Sequence, residues 1–475
     1  MRPGSIFYVL GKLLQLTAFF MLFPVLIGLH YQEEDAFVFI ISMGITAVSG
    51  FLLKLFKNRG LHYKDGFVIV TLGWLLVSLY GAFPFLLAGV FSNPVDAFFE
   101  SVSGFTTTGA TVILSLESLS HTILFWRSLS NWLGGMGIIV IGMAVLPELA
   151  GNMHLYTAEA PGPFYNKLRP KIQDTIKLFF FIYLVLTISL IILLWINGMP
   201  FFDALIHSFG TISTGGFSSR VLSVGAYKNI LIEIIVIIYM FTGSCNFHLI
   251  YAFIKGQWKS IKRSEEVVFY LIMLLTAVSL ISYNLYNNDY YSLKNSIRYT
   301  AFQVVSISST TGYANTNYDS WPSFSRWILL VLMFIGGCSG STAGGIKVIR
   351  VKVLLKKALQ VLYKLLHPRS IREVKVDNLV VPEDVLSNIL GFFFIYVMVF
   401  VIAVIGLTYS GLEILSSISA AASSLGNIGP GLDMLGPLNS YLPLSDFAKM
   451  LLIGCMLLGR LEIYTILVFI FMDWR

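Results

Sequence analysis

Four short glycine-centred stretches, each set between long apolar segments, constrain this chain more than any other feature. They are Thr107-Thr108-Gly109-Ala110, Ser213-Thr214-Gly215-Gly216, Thr310-Thr311-Gly312-Tyr313 and Ser424-Leu425-Gly426-Asn427. The glycines at 109, 215, 312 and 426 are 106, 97 and 114 residues apart. A short apolar run leads into each, near 95–106, 201–212, 295–309 and 411–423. A helix needs about 20 mainly apolar residues to cross a bilayer, so these runs are expected to be re-entrant half-helices. Non-helical backbone is tolerated at membrane depth only where protein buries it or where it lines a wet cavity. Four such loops can surround one axis, and a ring of carbonyls there can replace the water shell of a cation.

Composition places the loops in a membrane. Of 475 residues, 56% are hydrophobic and 12% charged, against roughly 25% charged in soluble proteins. The mean hydropathy is +0.79. Ten segments read as spans, near 6–30, 36–56, 67–91, 122–149, 175–197, 229–254, 265–286, 325–360 (interrupted), 384–409 and 445–472. The first follows Arg2 and precedes Glu33-Glu34-Asp35 without a small-residue cleavage site, so an uncleaved span is expected. Cys245, Cys338 and Cys455 lie in apolar segments with no metal-ligand spacing.

After residue 66 the order is span, half-helix, loop, span, four times over, an internal repeat that sets the fold. Asp96-Ala97-Phe98 and Asp203-Ala204-Leu205 open the first two half-helices, offset by one residue when the loops are aligned on Gly109 and Gly215. The expected fold is an all-α polytopic membrane protein of ten transmembrane helices and four re-entrant pore helices. Its parts are two extra spans (1–62), repeat 1 (63–165), repeat 2 (166–262), repeat 3 with an interrupting loop and a basic extension (263–376), and repeat 4 (377–475). The net charge of +7 does not indicate nucleic acid, because the cations sit in short loops, as the positive-inside rule expects. Segments 51–66, 151–178, 255–264 and 347–375, with Arg2, Lys12 and Arg475, hold 24 of 32 Lys and Arg on one expected side. That side is read as cytoplasmic, with both termini on it.

Glycine lets backbone approach a ligand closely, and flanking Thr and Ser supply hydroxyls. A half-helix ending at the loop turns its partly negative C-terminus toward the centre, which favours a cation. No acidic ring accompanies the loops, which excludes a calcium-type carboxylate site. Close helix packing through small residues is the alternative reading of any one glycine, but not of four in the same order.

At these residues the chain resembles the Trk/Ktr/HKT superfamily of potassium transporters, and within it the TrkH branch. The matching motifs are Ser103 through Ala110, Ser213 through Ser218, Ser309 through Ala314 and Ser424 through Gly431. Arg127 through Gly137 and Gly459-Arg460-Leu461-Glu462 also match. The resemblance implies four pseudo-symmetric units around one potassium pore, and the two extra spans favour TrkH over Ktr. It implies that the sixteen residues of the four stretches form a potassium-binding filter. The fourth departs from the Thr-rich pattern at Leu425 and Asn427, which implies a pore without strict fourfold symmetry.

The run Gly336-Gly337-Cys338-Ser339-Gly340-Ser341-Thr342-Ala343-Gly344-Gly345 interrupts the eighth span. Each glycine costs a helix roughly 1 kcal/mol relative to alanine, so a continuous helix is not expected. The run reads as a movable gate beneath the filter, as the matching loop does by resemblance, or as a static kink. Gate residues are then Gly336, Gly337, Gly340, Ser341, Thr342, Gly344 and Gly345, with Arg460. A charge at the depth of Arg460 costs at least ~2.5 kcal/mol on insertion scales. By resemblance Arg460 projects into the pore and bonds the loop's carbonyls; the alternative is a salt bridge with Glu462 or Glu233. Arg127 and Lys449 are expected to snorkel. The basic stretch Lys347 to Lys375 either docks a regulator or merely follows the positive-inside bias.

No nucleotide fingerprint occurs in the sequence. The resemblance implies a homodimer and a separate cytoplasmic TrkA-type ring that binds NAD and ATP or ADP. It also implies potassium as the bound and transported ion, no organic cofactor in this chain, and membrane lipid as surroundings. A secondary transporter of an organic solute with a midplane site is the rival reading. It predicts loops entering from both sides, whereas all four here are expected to enter from one. A membrane enzyme would need a polar cluster that His207, His248 and the cysteines do not form.

Overall fold

The computed structural model describes residues 3–56, 60–137, 172–370 and 373–471. Two helices open the chain, α1 (Pro3–Tyr31) and α2 (Asp35–Lys54). They form a hairpin whose backbones touch at two glycines. A Cβ on Gly11 would lie 2.6 Å from the Gly50 carbonyl, and one on Gly50 would lie 2.8 Å from that of Gly11. Small residues thus bring the two apolar helices into direct contact.

The remaining helices follow in the expected order. They are α3 (Tyr63–Leu87), α4 (Pro94–Phe105), α5 (His121–Gly135), α6 (Ile172–Ile196), α7 (Phe201–Ile212), α8 (Ile230–Gly243), α9 (Phe247–Ile254) and α10 (Trp258–Arg263). Then come α11 (Glu265–Asn287), α12 (Leu293–Ser308), α13 (Ser323–Phe334), α14 (Val348–Leu366), α15 (Glu383–Tyr409), α16 (Ile414–Gly426), α17 (Asp446–Arg460) and α18 (Tyr464–Phe471). One departure from an all-α chain is a small antiparallel hairpin, β1 (Lys375–Val376) with β2 (Leu379–Val380). Asp377 and Asn378 connect them with φ of 49° and 66°, the left-handed pair that a tight hairpin turn requires.

Six described helices are long and apolar enough to cross a membrane: α1, α2, most of α3 and α6, α11 and α15. Their large exposed apolar side chains, such as Phe394 and Ile405 on α15, suit a lipid environment rather than water. Two segments expected as spans are sharply bent. The 229–254 segment bends by 111° between α8 and α9, and the 445–472 segment by 109° between α17 and α18. At the first break Asn246 leaves the helix and its side chain caps α9 at the His248 amide, 2.8 Å away. At the second, Glu462 and Ile463 take left-handed φ of 52° and 57°. Of the expected 122–149 span, α5 is described, and residues 138–149 lie outside the described residues, as do Lys167, Arg169 and Lys171.

The four short helices α4, α7, α12 and α16 stand where half-helices were expected, the last shifted about three residues along the chain. Each precedes a loop and then a short inner helix, α5, α8, α13 or α17, so four similar units are built in sequence order. One continuous hydrophobic cluster runs through all of them, and a smaller one joins α14, the β-hairpin and the start of α15.

Two ends of the molecule differ in charge. Glu33, between α1 and α2, accepts the backbone N–H groups of His121 and Thr122 at 2.8 and 2.9 Å and caps α5. Burial pushes its carboxyl up, but hydrogen bonds from the side chains and amides of Thr122 and His121 outweigh this and leave it below the usual range. At the other end Lys352 and Lys356 reach Glu265 at 2.9 and 2.5 Å. The 255–264 and 347–375 basic segments therefore meet on one side.

Candidate functional site

The backbone of the four loops repeats in a fixed pattern. Thr107, Thr214, Thr310 and Asn427 have φ of 55°, 54°, 59° and 53°. Two residues later Gly109, Gly216, Gly312 and Gly429 have φ of 80°, 72°, 76° and 106°. A β-branched residue at positive φ is a genuine outlier, and three threonines in that state mark a strained segment held by its surroundings. The hydrogen bonds keep the same register. Thr108 N–H donates to Ser103 O at 2.9 Å, Gly215 to Gly210 at 2.8 Å, Thr311 to Ser306 at 2.9 Å and Ile428 to Ser423 at 2.9 Å.

This register differs from the sequence alignment in two loops. The counterpart of Gly109 and Gly312 is Gly216, one residue after Gly215, and Gly429, three residues after Gly426. Gly426 is the last residue of α16, and Ser424 and Leu425 are also helical. With this register Asp96 and Asp203 fall at the same distance from their loop glycines, and the one-residue offset disappears.

The loops close into a ring. A Cβ on Gly109 would overlap the carbonyl oxygen of Gly215; one on Gly216, that of Thr311; one on Gly312, that of Ile428. A Cβ on Gly429 would lie 2.6 Å from the Thr108 oxygen, which completes the circuit. Each loop thus sets one carbonyl against the preceding loop's glycine. A side chain is excluded there both by positive φ and by lack of space.

Four clasps fasten the seams between loops. Arg127 Nη1 donates to Ser218 O at 3.2 Å. Tyr313 Oη donates to Phe217 O at 3.1 Å and Tyr318 Oη to Gly431 O at 3.3 Å; at the fourth seam Tyr441 donates from Oη to Gly429 O and from its amide to Thr111 O, both at 2.8 Å. The four ring glycines line one open cavity of about 70 Å³ with Ala110, Phe217, Ala314 and Pro430.

Buried ion pairs brace this assembly, and neither Arg127 nor Lys449 snorkels. Arg127, 1% exposed, donates from Nε to Glu100 at 2.7 Å and stacks on Phe217. Glu100 also accepts the Val112 amide at 3.0 Å. Lys449 donates to Asp96 at 2.6 Å, where both side chains are buried. Sequence reasoning missed Glu100 and Asp96 because their partners lie on other helices. Glu100→Ala would strand the buried guanidinium, so a loss of about 3–5 kcal/mol is expected. A thermal melt of the purified variant checks this, and an unchanged midpoint would contradict it.

Beneath the ring lies the glycine-rich run between α13 and α14. Cys338 N–H donates to Ser244 O at 2.8 Å and Ser339 N–H to Glu266 at 2.7 Å. The Phe247 amide donates to Gly340 O at 3.1 Å. The broken 229–254 span is therefore what seats the loop: its bend opens the Ser244 carbonyl and the Phe247 amide. Gly340 and Gly345 have φ of 69° and 66°. Gly336 packs against the Gly344 carbonyl, Gly337 lies against Ser244, and Ser341 Oγ donates to Cys338 O at 2.6 Å.

The strained residues of the ring touch this loop. Thr214 Oγ1 lies 3.3 Å from Thr342 Oγ1. The Gly344 amide donates to Thr310 Oγ1 at 2.9 Å. A Cβ on Gly344 would lie 2.5 Å from Gly426 O and 2.9 Å from the Asn427 side chain, so the run also abuts the fourth loop. Thr342 Oγ1 donates to Gly243 O at 3.0 Å, with Ile212 O at 3.2 Å.

Arg460, at the end of α17, gathers the remaining contacts. Nη1 donates to Thr342 O at 2.8 Å and to Thr107 Oγ1 at 3.1 Å; Nη2 donates to Gly134 O at 2.5 Å and Gly135 O at 2.9 Å. The last two are carbonyls at the C-terminus of α5, where a cation is favoured. The carboxylates considered as its partners are engaged elsewhere: Glu462 pairs with Arg350 and Glu233 with Arg298. One guanidinium thus joins the first loop, the glycine-rich run and the first and fourth inner helices.

The family model described as TrkH, cation transport protein, matches residues 36–473. The chain is 39% identical to Trk system potassium uptake protein TrkH of Vibrio parahaemolyticus serotype O3:K6, over 98% of both chains. It is 38% identical to TrkH of Escherichia coli K12 over 98% of both, and 36% identical to that strain's TrkG over 97% and 96%. The crystal structure of the potassium transporter TrkH from Vibrio parahaemolyticus superposes with a TM-score of 0.90 at 36% identity, covering 100% of both chains. A ring of four loops within a multi-pass helical framework, matched over its whole length, places this chain in the TrkH family of cation transport proteins, a family of transporters rather than enzymes.

Proposed function

We propose that this chain is the membrane subunit of a Trk potassium uptake system and that potassium passes through the four-loop ring. The observation that carries this reading is the closed circuit of carbonyls at Thr108, Gly215, Thr311 and Ile428 against Gly429, Gly109, Gly216 and Gly312, respectively. Carbonyl oxygens fixed in a ring can replace an ion's hydration shell without an acidic side chain. Among the described residues no group of three or more His, Cys, Asp or Glu suits a metal site, so the backbone is the natural ligand set. The filter then comprises Thr107–Ala110 and Thr310–Tyr313, with the second and fourth loops read in the backbone register as Thr214–Phe217 rather than Ser213–Gly216 and as Asn427–Pro430 rather than Ser424–Asn427. A solute transporter with a midplane site is not favoured, because the loops converge on one ring.

In this reading ten spans and four pore helices form two extra helices (1–62) and four repeats bounded at 63–165, 166–262, 263–376 and 377–475. The bent pairs α8–α9 and α17–α18 each count as one span. The basic end faces the cytoplasm of a bacterial inner membrane and carries both termini. The chain works with other Trk components. A cytoplasmic TrkA-type ring that binds NAD and ATP or ADP is the expected regulator, and a homodimer the expected assembly.

Gly336 to Gly345 and Arg460 act as the gate. The loop lies across the ion's exit, tied to three of the four strained filter residues or to the arginine beside them. Deleting Gly340 to Gly344 removes the Thr342 and Gly344 ties. Rubidium flux into liposomes is then expected to rise about tenfold, a barrier change of ~1.4 kcal/mol. Unchanged flux in a variant that elutes and melts like the parent would refute the gate.

A further inference from the structure

Three of the four ring carbonyls belong to residues that carry a side chain behind the ring, Thr108, Thr311 and Ile428. Thr108 Oγ1 is 2.8 Å from Thr106 Oγ1 and accepts from Asn427 Nδ2 at 3.0 Å. Thr311 Oγ1 is 2.8 Å from Ser309 Oγ. The fourth carbonyl belongs to Gly215, which has nothing of its own there.

That space is filled from the preceding repeat. A Cβ on Gly215 would lie 2.6 Å from both Cγ and Nδ2 of Asn131 and 3.0 Å from its Cβ. Gly215 is not among the glycines with positive φ. Its backbone therefore admits a side chain, and Asn131 is what excludes one. Asn131 lies on α5, is fully buried, and neither Nδ2 nor Oδ1 has a hydrogen-bond partner among the described residues. A buried amide without a partner is costly, and an apolar side chain of that size would fill the space at lower cost. An asparagine at this position therefore points away from a purely stabilising role.

We propose that Asn131 is a positioning residue for ion selectivity: a wedge from the first repeat that stands in for the side chain absent at Gly215 and holds that ring carbonyl in register with the other three. This rests on the ring being the ion filter. Without the wedge the second loop is free to withdraw, and a widened ring loses its preference for the larger ion over sodium.

The test is rubidium and sodium uptake into liposomes by the parent, Asn131→Ala, Asn131→Ser, Gly215→Thr and the double variant Asn131→Ala/Gly215→Thr, each checked by thermal melt. Asn131→Ala is expected to lower the rubidium-to-sodium ratio about tenfold, and Asn131→Ser to do so in part. Gly215→Thr alone collides with Asn131 and is also expected to lose selectivity. The double variant carries at Gly215 the residue that Thr108 and Thr311 already place there, and is expected to regain the ratio. Recovery is the signature that a general packing defect does not give. A parental ratio in folded Asn131→Ala or Asn131→Ser, or no recovery in the double variant, overturns the wedge while leaving the filter intact. A parent that does not prefer rubidium overturns both.

Discussion

Gly312→Ala is expected to abolish potassium-selective uptake while the protein still inserts and folds. Gly312 has a φ of 76°, and an added Cβ would overlap the Ile428 carbonyl and lie 2.8 Å from Pro430 Cδ. The methyl must displace a ring carbonyl, and the left-handed backbone adds roughly 1–2 kcal/mol for an L side chain. Both costs fall on the ring, not on the surrounding core. Selective flux is expected to fall at least ~100-fold, a barrier increase of about 2.7 kcal/mol. Rubidium uptake with sodium competition, measured beside insertion level, checks this. Gly429→Ala should behave alike, because its φ is 106° and its Cβ would lie 2.6 Å from Thr108 O. Gly426→Ala serves as the comparison: it is helical, and its Cβ would meet Met333 O at 2.7 Å and the Ile428 side chain. It should disturb packing without switching selectivity. Full selectivity in Gly312→Ala or Gly429→Ala would contradict the ring.

Arg460→Ala should act in the opposite direction and raise flux. A guanidinium below a cation filter repels the ion it must let pass, and a charge at that depth is worth at least ~2.5 kcal/mol on insertion scales. The same side chain ties Thr342 of the glycine-rich loop to Thr107 of the first filter loop. Alanine removes both the charge and the tie, so flux is expected to rise about tenfold or more. Arg460→Lys separates the two effects. It keeps the charge but loses the forked geometry that reaches Thr342, Thr107 and the α5 carbonyls together. An intermediate flux is expected for Lys. Equal flux in all three proteins, with equal insertion, would place Arg460 outside the gate.

Much of this was legible from residue pattern. Apolar runs of span length, runs too short to span and glycine stretches are local signals, and they placed the half-helices and the interrupted eighth span. The loop register was not fully legible. Gly215 and Gly216 are adjacent, so composition could not choose between them, and in the fourth loop Gly426 and Gly429 compete. Two signals favoured the register that the backbone adopts. Asp96 and Asp203 precede Gly109 and Gly216 by the same interval, and Ser103, Ser306 and Ser423 precede Gly109, Gly312 and Gly429 by the same interval. Ser103 and Ser306 donate to the carbonyl after the ring glycine, at Ala110 and Tyr313, at 2.6 Å.

The breaks after Gly243 and Arg460 were hidden because no proline marks them and only a few polar residues, Ser244 with Asn246 and Arg460 with Glu462, interrupt otherwise apolar runs. They are stabilised from elsewhere in the chain, by Gly340 against Phe247 and by Arg350 against Glu462. Arg127 and Lys449 misled for the same reason. Each lies far in sequence from the carboxylate that buries it, Glu100 or Asp96, so a charged residue near a span end read as snorkelling.

The central claim is that four loop carbonyls in one ring conduct potassium selectively. The most direct measurement is uptake of radioactive rubidium into liposomes holding the purified chain, driven by an outward potassium gradient and competed with external potassium or sodium. Uptake that external potassium blocks and equal sodium leaves unchanged is the expected result. Uptake that sodium blocks equally well, or none even from Arg460→Ala, would contradict it.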